Sequence, residues 1–448
     1  MNQTNALGTE KMGHLLFRLA MPAVIAQIIN LLYNIVDRIY IGHIAGIGTA
    51  ALTGVGLFMP ILMLINSFAS MIGAGGAPLA SMALGRKDQK HAQKILSASL
   101  AALLVLAIIL TVVLFAGAPV LLRFFGASDT TLPYALTYSR IYIIGTITVM
   151  LVMGLNPFIS AQGYAKTAML STVIGAVINI ALDPLLIFTF HMGVAGAAAA
   201  TVISQVVYMI WILHFLGSEK SVIRFHKKEV RLDMRILKPV VGLGVSTFVM
   251  ISTESLLSIA FNRSLSIYGG DIAVGAMTII TSIVSLLSMP LQGICQGGQP
   301  IISYNYGAHH SDRVKEAVRL MLIVNLIWSS LFWVLMMFFP SVSASLFTND
   351  AGLIGYAVPL MRIYFALCFS NAFQITCQQG FVALGQAKIS LFMACLRKLI
   401  LLIPLILLLP LFLPDKVIAV FLAEPIADAL AAFITAAAFF HRLPALLK

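Results

Sequence analysis

The feature that most limits how this chain can fold is a repeat at one fixed offset of 222 residues. Gly75-Gly76-Ala77-Pro78 matches Gly297-Gly298-Gln299-Pro300, and Gly85 matches Gly307. Phe125 matches Phe347, and Arg140-Ile141-Tyr142 matches Arg362-Ile363-Tyr364. Ala161-Gln-Gly-Tyr-Ala-Lys166 matches Ala383-Leu-Gly-Gln-Ala-Lys388. An offset that holds without a gap from Gly75 to Lys166 means two like halves, not chance agreement between apolar stretches.

Each half is a set of membrane-spanning segments. Hydrophobic residues make up 60% of the 448-residue chain and charged residues 10%, far more apolar surface than a soluble fold of this size buries. Twelve spans are expected, near 15–43, 50–84, 93–117, 134–161, 168–190, 194–217, 237–268, 271–305, 315–339, 355–384, 389–413 and 416–440. The expected fold is therefore an all-α integral membrane protein of two six-helix lobes. The lobes are 1–217 and 239–448, joined by a basic linker at 218–238. Six spans per half is an even number, so both halves enter from the same side and are related by a pseudo-two-fold along the membrane normal.

Loop charge gives the orientation. Lys11, Arg18, Arg86, Lys87, Lys90, Lys94, Lys166, Arg313, Lys315, Arg319, Lys388, Arg442 and Lys448 fall on one side. So does the linker with Lys220, Arg224, Lys227, Lys228, Arg231, Arg235 and Lys238, whereas Arg123 and Lys416 fall on the other. The positive-inside rule then puts both termini in the cytoplasm of a multi-pass plasma (inner) membrane protein. Met1–Phe17 lacks the apolar core of a cleavable signal, so the first span is expected to direct insertion. The net charge of +12 lies in these loop clusters and implies no nucleic-acid partner. Cys295, Cys368, Cys377 and Cys395 sit in apolar segments without metal-ligand spacing and read as packing residues.

Within the spans, chemistry concentrates on a few polar groups. Gln27, Asn30, Asn34 and Asp37 recur at intervals of three, four and three, which is one stripe on a helix. A carboxylate there is costly in lipid and must face protein or water. Counting from the outer ends of spans one, five and six puts Asp37, Asp183 and Thr201 at a shared depth of ~10 Å, with Asn179 one turn below Asp183. Pro184 cannot donate a backbone hydrogen bond, which frees the carbonyl of Ile180. Such an all-oxygen set suits a hard cation, and the two acids are equally able to share a proton. An ion pair between Asp37 and adjacent Arg38 is disfavoured, because successive helical residues point ~100° apart. In the second half, Glu254, Ser258 and Asn262 form one stripe on span seven. Asn371, Gln374 and Gln378 form another on span ten, and Glu424 lies on span twelve. Helix-to-helix hydrogen bonding competes with a cleft role for these groups.

Val36-Asp37-Arg-Ile-Tyr-Ile-Gly42 resembles the multidrug and toxic-compound extrusion (MATE) transporters. So do the doubled Gly-Gly-x-Pro segments, the Gly-(Tyr/Gln)-Ala-Lys loops and Asn179-x-x-x-Asp183-Pro184. The resemblance implies a cation-coupled antiporter that exports amphipathic, mostly cationic small molecules by alternating access. Sodium or a proton is the coupling ion and there is no cofactor. It implies a monomer in a lipid bilayer, and a cation site at Asp37, Asn156, Asn179, Asp183 and Thr201, with Asp37 and Asp183 as possible sodium ligands. Asn34, Glu254, Ser258, Asn262, Gln374, Gln378 and Glu424 are then the substrate-cleft candidates. A flippase of the same superfamily for a lipid-linked precursor is the alternative, and it would need a basic cleft. A major-facilitator transporter would show an Asp-Arg-x-Gly-Arg loop after span two, which Gly85-Arg-Lys-Asp-Gln-Lys90 is not. His191, His214, His309 and His310 have no nucleophile or metal-ligand partners in the sequence, so no enzyme is expected.

Overall fold

The computed structural model describes residues 3–225 and 229–448, and every regular element among them is helical. Lys227 and Lys228 of the linker lie outside the described residues. Six spans form single helices: Met12–Gly42 (one), Gly48–Gly85 (two), Gln89–Phe124 (three), Val194–Gly217 (six), Ser311–Phe338 (nine) and Lys416–Leu446 (twelve), while span eleven, Ala387–Phe412, passes through a π-turn. Span five, Ala165–Pro184, continues through a widened π-turn, Leu185–Thr189. The helix Met234–Gly307 has 74 residues, about 111 Å at helical rise and far beyond a bilayer. Its backbone breaks at Gly270 (φ 64°), where a side chain would be strained, and so it supplies spans seven (234–269) and eight (271–307).

Spans four and ten are not the straight helices expected from their hydropathy. Leu132–Ile144 and Thr146–Ala161 meet at 56°, and Ala351–Tyr364 and Cys368–Ala383 at 47°. At the first bend a side chain on Gly145 would strike Val202 of span six at 2.7 Å. Apolar periodicity does not report such a break. With each bent pair counted as one span and the long helix as two, the described residues make twelve spans.

The repeated glycines mark where the lobes touch. A Cβ on Gly85 of span two would lie 2.0 Å from the Tyr304 carbonyl of span eight, and one on Gly307 would lie 2.1 Å from the Met82 carbonyl. Advancing Gly85 by 222 and setting Tyr304 back by 222 converts the first contact into the second, so the pseudo-two-fold passes between them. Gly75 meets Val240 of span seven in the same way, and Gly297 meets Ala20 of span one. Backbones this close are the usual means by which membrane helices adhere, since lipid offers no hydrophobic drive for their association. Ser81 adds a hydrogen bond to the Pro300 carbonyl (3.2 Å), also across the lobes.

A short helix before span one, Gln3–Thr9, packs under this junction. Thr4 donates to the Gln162 carbonyl (3.0 Å), and Asn305 donates to the Leu7 carbonyl (2.9 Å). Arg313 donates to the Leu7 and Glu10 carbonyls, while Ser311 donates to the Leu447 carbonyl. Both ends of the chain therefore lie on the face where the lobes meet. Farther from that face, Asn34 on span one and Glu254, Ser258 and Asn262 on span seven are exposed polar side chains, which belong in an open cleft rather than against lipid.

Gly85→Ala should pry the lobes apart on the face that carries the termini. In a cysteine-free background, a Ser81→Cys reporter, buried where Ser81 meets the Pro300 carbonyl across the lobes, should label several-fold faster with an impermeant maleimide when Gly85→Ala is present. Gly242→Ala, whose Cβ meets open space, should leave the rate unchanged.

Candidate functional site

Among the described residues, buried carboxylates stand in two clusters in the spans, one in each lobe. In the first, Asp37 of span one and Asp183 of span five are neighbouring carboxyl groups on packed helices. Both are buried, as are Asn179 and Thr201. The Asn179 amide donates to Asp183 Oδ1 (3.5 Å) and to Thr201 Oγ1 (3.4 Å), and the Thr201 hydroxyl donates to the Ala197 carbonyl (3.0 Å). These bonds leave Asp37 Oδ1, Asp183 Oδ2 and Asn179 Oδ1 buried without a partner. Three unsatisfied acceptors at one place are costly unless a cation or proton joins them. Among the described residues Asp37 has no basic partner within 4.0 Å, and adjacent Arg38 turns to the Met59 sulfur (3.7 Å). Pro184 ends the regular helix one residue past Asp183, and the π-turn that follows is a common device at functional positions.

Asn156 is not brought to this pair. Its amide donates to the Tyr208 hydroxyl (3.0 Å) and its oxygen accepts from Ser171 (3.4 Å), while Thr172 and Tyr208 share a hydrogen bond of 2.6 Å. Thr172 is seven residues before Asn179, or ~10 Å along span five. The resemblance put Asn156 with the acids, but its depth in span four puts it in this separate network. Asn34 is likewise occupied elsewhere: its amide donates to the Asn30 carbonyl (2.6 Å), and it does not line the C-lobe cavity described next.

The second cluster borders a cavity of about 570 Å³ on the C-lobe side of the cleft. Glu254, Ser258, Asn262, Gln374, Gln378 and Glu424 all line it, with Gln27 and Met63 reaching in from the other lobe. It also contains two cations and an acid that the sequence reading passed over or set aside. Arg397 and Lys398 sit in a second π-turn, Leu396–Leu402, within span eleven. Arg397 bridges Glu424 (2.8 Å) and Asp428 (2.7 Å) on span twelve, and Asn371 also donates to Asp428 (3.0 Å). Lys398 turns the other way, to Glu254 and to the Met250 carbonyl (2.7 Å) on span seven. Adjacent residues thus tie span eleven to two different helices. Sorting basic residues by loop explains why they were missed. The signal was present, since Arg397-Lys398 interrupts an otherwise apolar run, and a charge inside a span is by default functional.

The MatE family pattern matches residues 22–185 and 247–408, one segment in each lobe. The chain belongs to the MatE family. It is similar to the multidrug export protein MepA of Staphylococcus haemolyticus, with 24% identity over 417 residues, 93% of this chain and 91% of that protein. MepA of Staphylococcus aureus N315 is 23% identical over 84% of this chain and 83% of its own length. Among solved structures, the fold matches an outward-facing conformation of a multidrug resistance MATE family transporter. The TM-score is 0.93 and the identity 23%, with 100% of this chain and 99% of that one covered. It also matches a Pyrococcus furiosus transporter of the MOP superfamily described by the reverse polarity of its binding pocket. There the TM-score is 0.92 at 23% identity, covering 99% and 98%.

Membership in this transporter family accounts for a duplicated bundle with an open cleft. The ion pairs of Arg397 and Lys398 in this MatE chain differ in how far they support the fold. Arg397→Ala would leave Glu424 and Asp428 buried without their counter-ion, at a cost of roughly 3–5 kcal/mol. Glu254 keeps 53% of its side chain exposed, so losing Lys398 costs far less. Thermal unfolding in detergent should therefore fall steeply for Arg397→Ala and only slightly for Lys398→Met.

Proposed function

We propose that this chain is a cation-coupled antiporter that exports amphipathic, mostly cationic compounds from the cell by alternating access. The observation that carries the reading is the Asp37–Asp183 pair, whose two unpartnered oxygens are joined by a third on Asn179. An oxygen set of this kind holds a hard cation or a proton and has little use in a passive scaffold. Asn179 holds Asp183 and Thr201 in place through its amide and offers its own oxygen to the ion. The names of the staphylococcal relatives support multidrug export, and the C-lobe cavity has the size and the mixed apolar and acidic lining that amphipathic cations require.

In this reading the lobes are residues 1–217 and 239–448 with linker 218–238. The face bearing the termini is cytoplasmic, the membrane is the plasma membrane, and the transporter works as a monomer. The cleft then opens outward. A cation entering from outside neutralises the acid pair and lets the lobes rock about the glycine junction, while the cytoplasmic opening admits the drug. Transport is coupled when ion and drug favour opposite states, each shifting the equilibrium by its difference in affinity for the two. A flippase for an anionic lipid-linked precursor is not supported, since the charged groups lining the cavity leave it acidic rather than basic.

Everted vesicles given an imposed sodium or proton gradient should accumulate ethidium under at least one of the two, and Asp37→Asn should abolish that accumulation. Full gradient-driven uptake by Asp37→Asn would remove the central role of this acid, and uptake under neither gradient would overturn the antiporter reading.

A further inference from the structure

The C-lobe cavity carries five charged side chains: Glu254, Glu424, Asp428, Arg397 and Lys398. Three carboxylates against two cations leave one negative charge, and the pairing shows where it resides. Lys398 neutralises Glu254, whereas Arg397 alone must serve both Glu424 and Asp428. Asp428 is further satisfied by Asn371, so the deficit falls on Glu424, whose Oε2 is buried without a partner. Two more acceptors on the same lining are equally unpartnered, Gln374 Oε1 and Gln378 Oε1. All three residues are more than nine-tenths buried. The Gln378 amide is held by the Ser390 carbonyl (2.8 Å) and hydroxyl (3.1 Å), which leaves its oxygen free. Three oxygens lacking donors, one of them anionic, fit the N–H groups of a ligand with a single positive charge.

We propose that Lys398 sets the charge of the compound this cavity accepts. Paired with Glu254, it holds the cavity at one net negative charge, so that a monocation is taken in preference to a dication. The inference rests on the export reading above and adds a specificity-determining residue to it. A second positive charge on the ligand would find Glu254 already occupied by Lys398, and repulsion of the wrong ligand discriminates as effectively as attraction of the right one. Lys398 is suited to this role because its partner is half exposed to the cavity, unlike the deeply held Arg397 pair.

Ethidium and propidium share one aromatic core with amino groups and carry one and two positive charges, respectively. Their fluorescence reports binding to the full-length protein in detergent. The wild type should favour ethidium. Lys398→Met and Lys398→Gln should each shift the propidium-to-ethidium affinity ratio at least tenfold toward propidium, and Lys398→Arg should keep the wild-type ratio. Adding Glu254→Gln to Lys398→Met restores the charge count and should restore the ratio, an outcome that mere loosening of the fold would not give. A ratio unchanged within twofold in both neutral variants, or no restoration by Glu254→Gln, would overturn the role of Lys398. Failure of the wild type to bind either dye would instead overturn the export reading on which the role rests.

Discussion

Two carboxyl groups held against each other inside a membrane lobe need a cation or a proton between them. That constraint organises the N-terminal half of this molecule. Asp37 and Asp183 come from spans 146 residues apart in sequence, and both are buried. The Asn179 amide reaches Asp183 and Thr201, the Thr201 hydroxyl is spent on the Ala197 carbonyl, and the remaining acceptors of the pair stay open. Arg38, the nearest cation in sequence, turns away to Met59. Desolvated charges are retained in a membrane where they do work, and in the function proposed here that work is ion exchange.

The C-terminal lobe shares the helical plan without the site. At the 222-residue offset the counterparts of Asp37, Asn179, Asp183 and Thr201 are Ile259, Leu401, Leu405 and Ala423. Conversely, Arg397 and Lys398 correspond to Gly175 and Ala176, small residues of span five. What the halves keep in common is the set of close backbone crossings at Gly75, Gly85, Gly297 and Gly307, where a side chain would collide with the opposite lobe. The two halves keep the glycine crossings and differ in their polar interiors. One is an oxygen cage and the other an ion-paired cavity with its own tethered cations.

How much of this the sequence carried depends on whether a feature leaves a periodic or a repeated trace. The polar stripe ending at Asp37 did so, and so did the glycines, because a helix crossing imposes small residues at the same positions in both halves. The fixed rise per residue of a helix groups Asp37 with Asp183, Asn179 and Thr201. The bends at Gly145 and after Tyr364 left no such trace, because apolar residues continue on both sides of each break. Arg397 and Lys398 were visible as letters but not as partners. Which helices they reach depends on a π-turn and on neighbours 27 to 148 residues away, and no spacing rule encodes that.

The central claim is that the coupling ion binds in one lobe only, and a direct count of bound cations tests it. Purified protein in detergent would be titrated with radioactive sodium and, in its absence, followed for proton uptake after an acid jump. The account predicts one site per chain that is lost in Asp37→Asn and in Asp183→Asn and kept in Glu254→Gln and Glu424→Gln. Binding that survives both aspartate substitutions and disappears with either glutamate would contradict it.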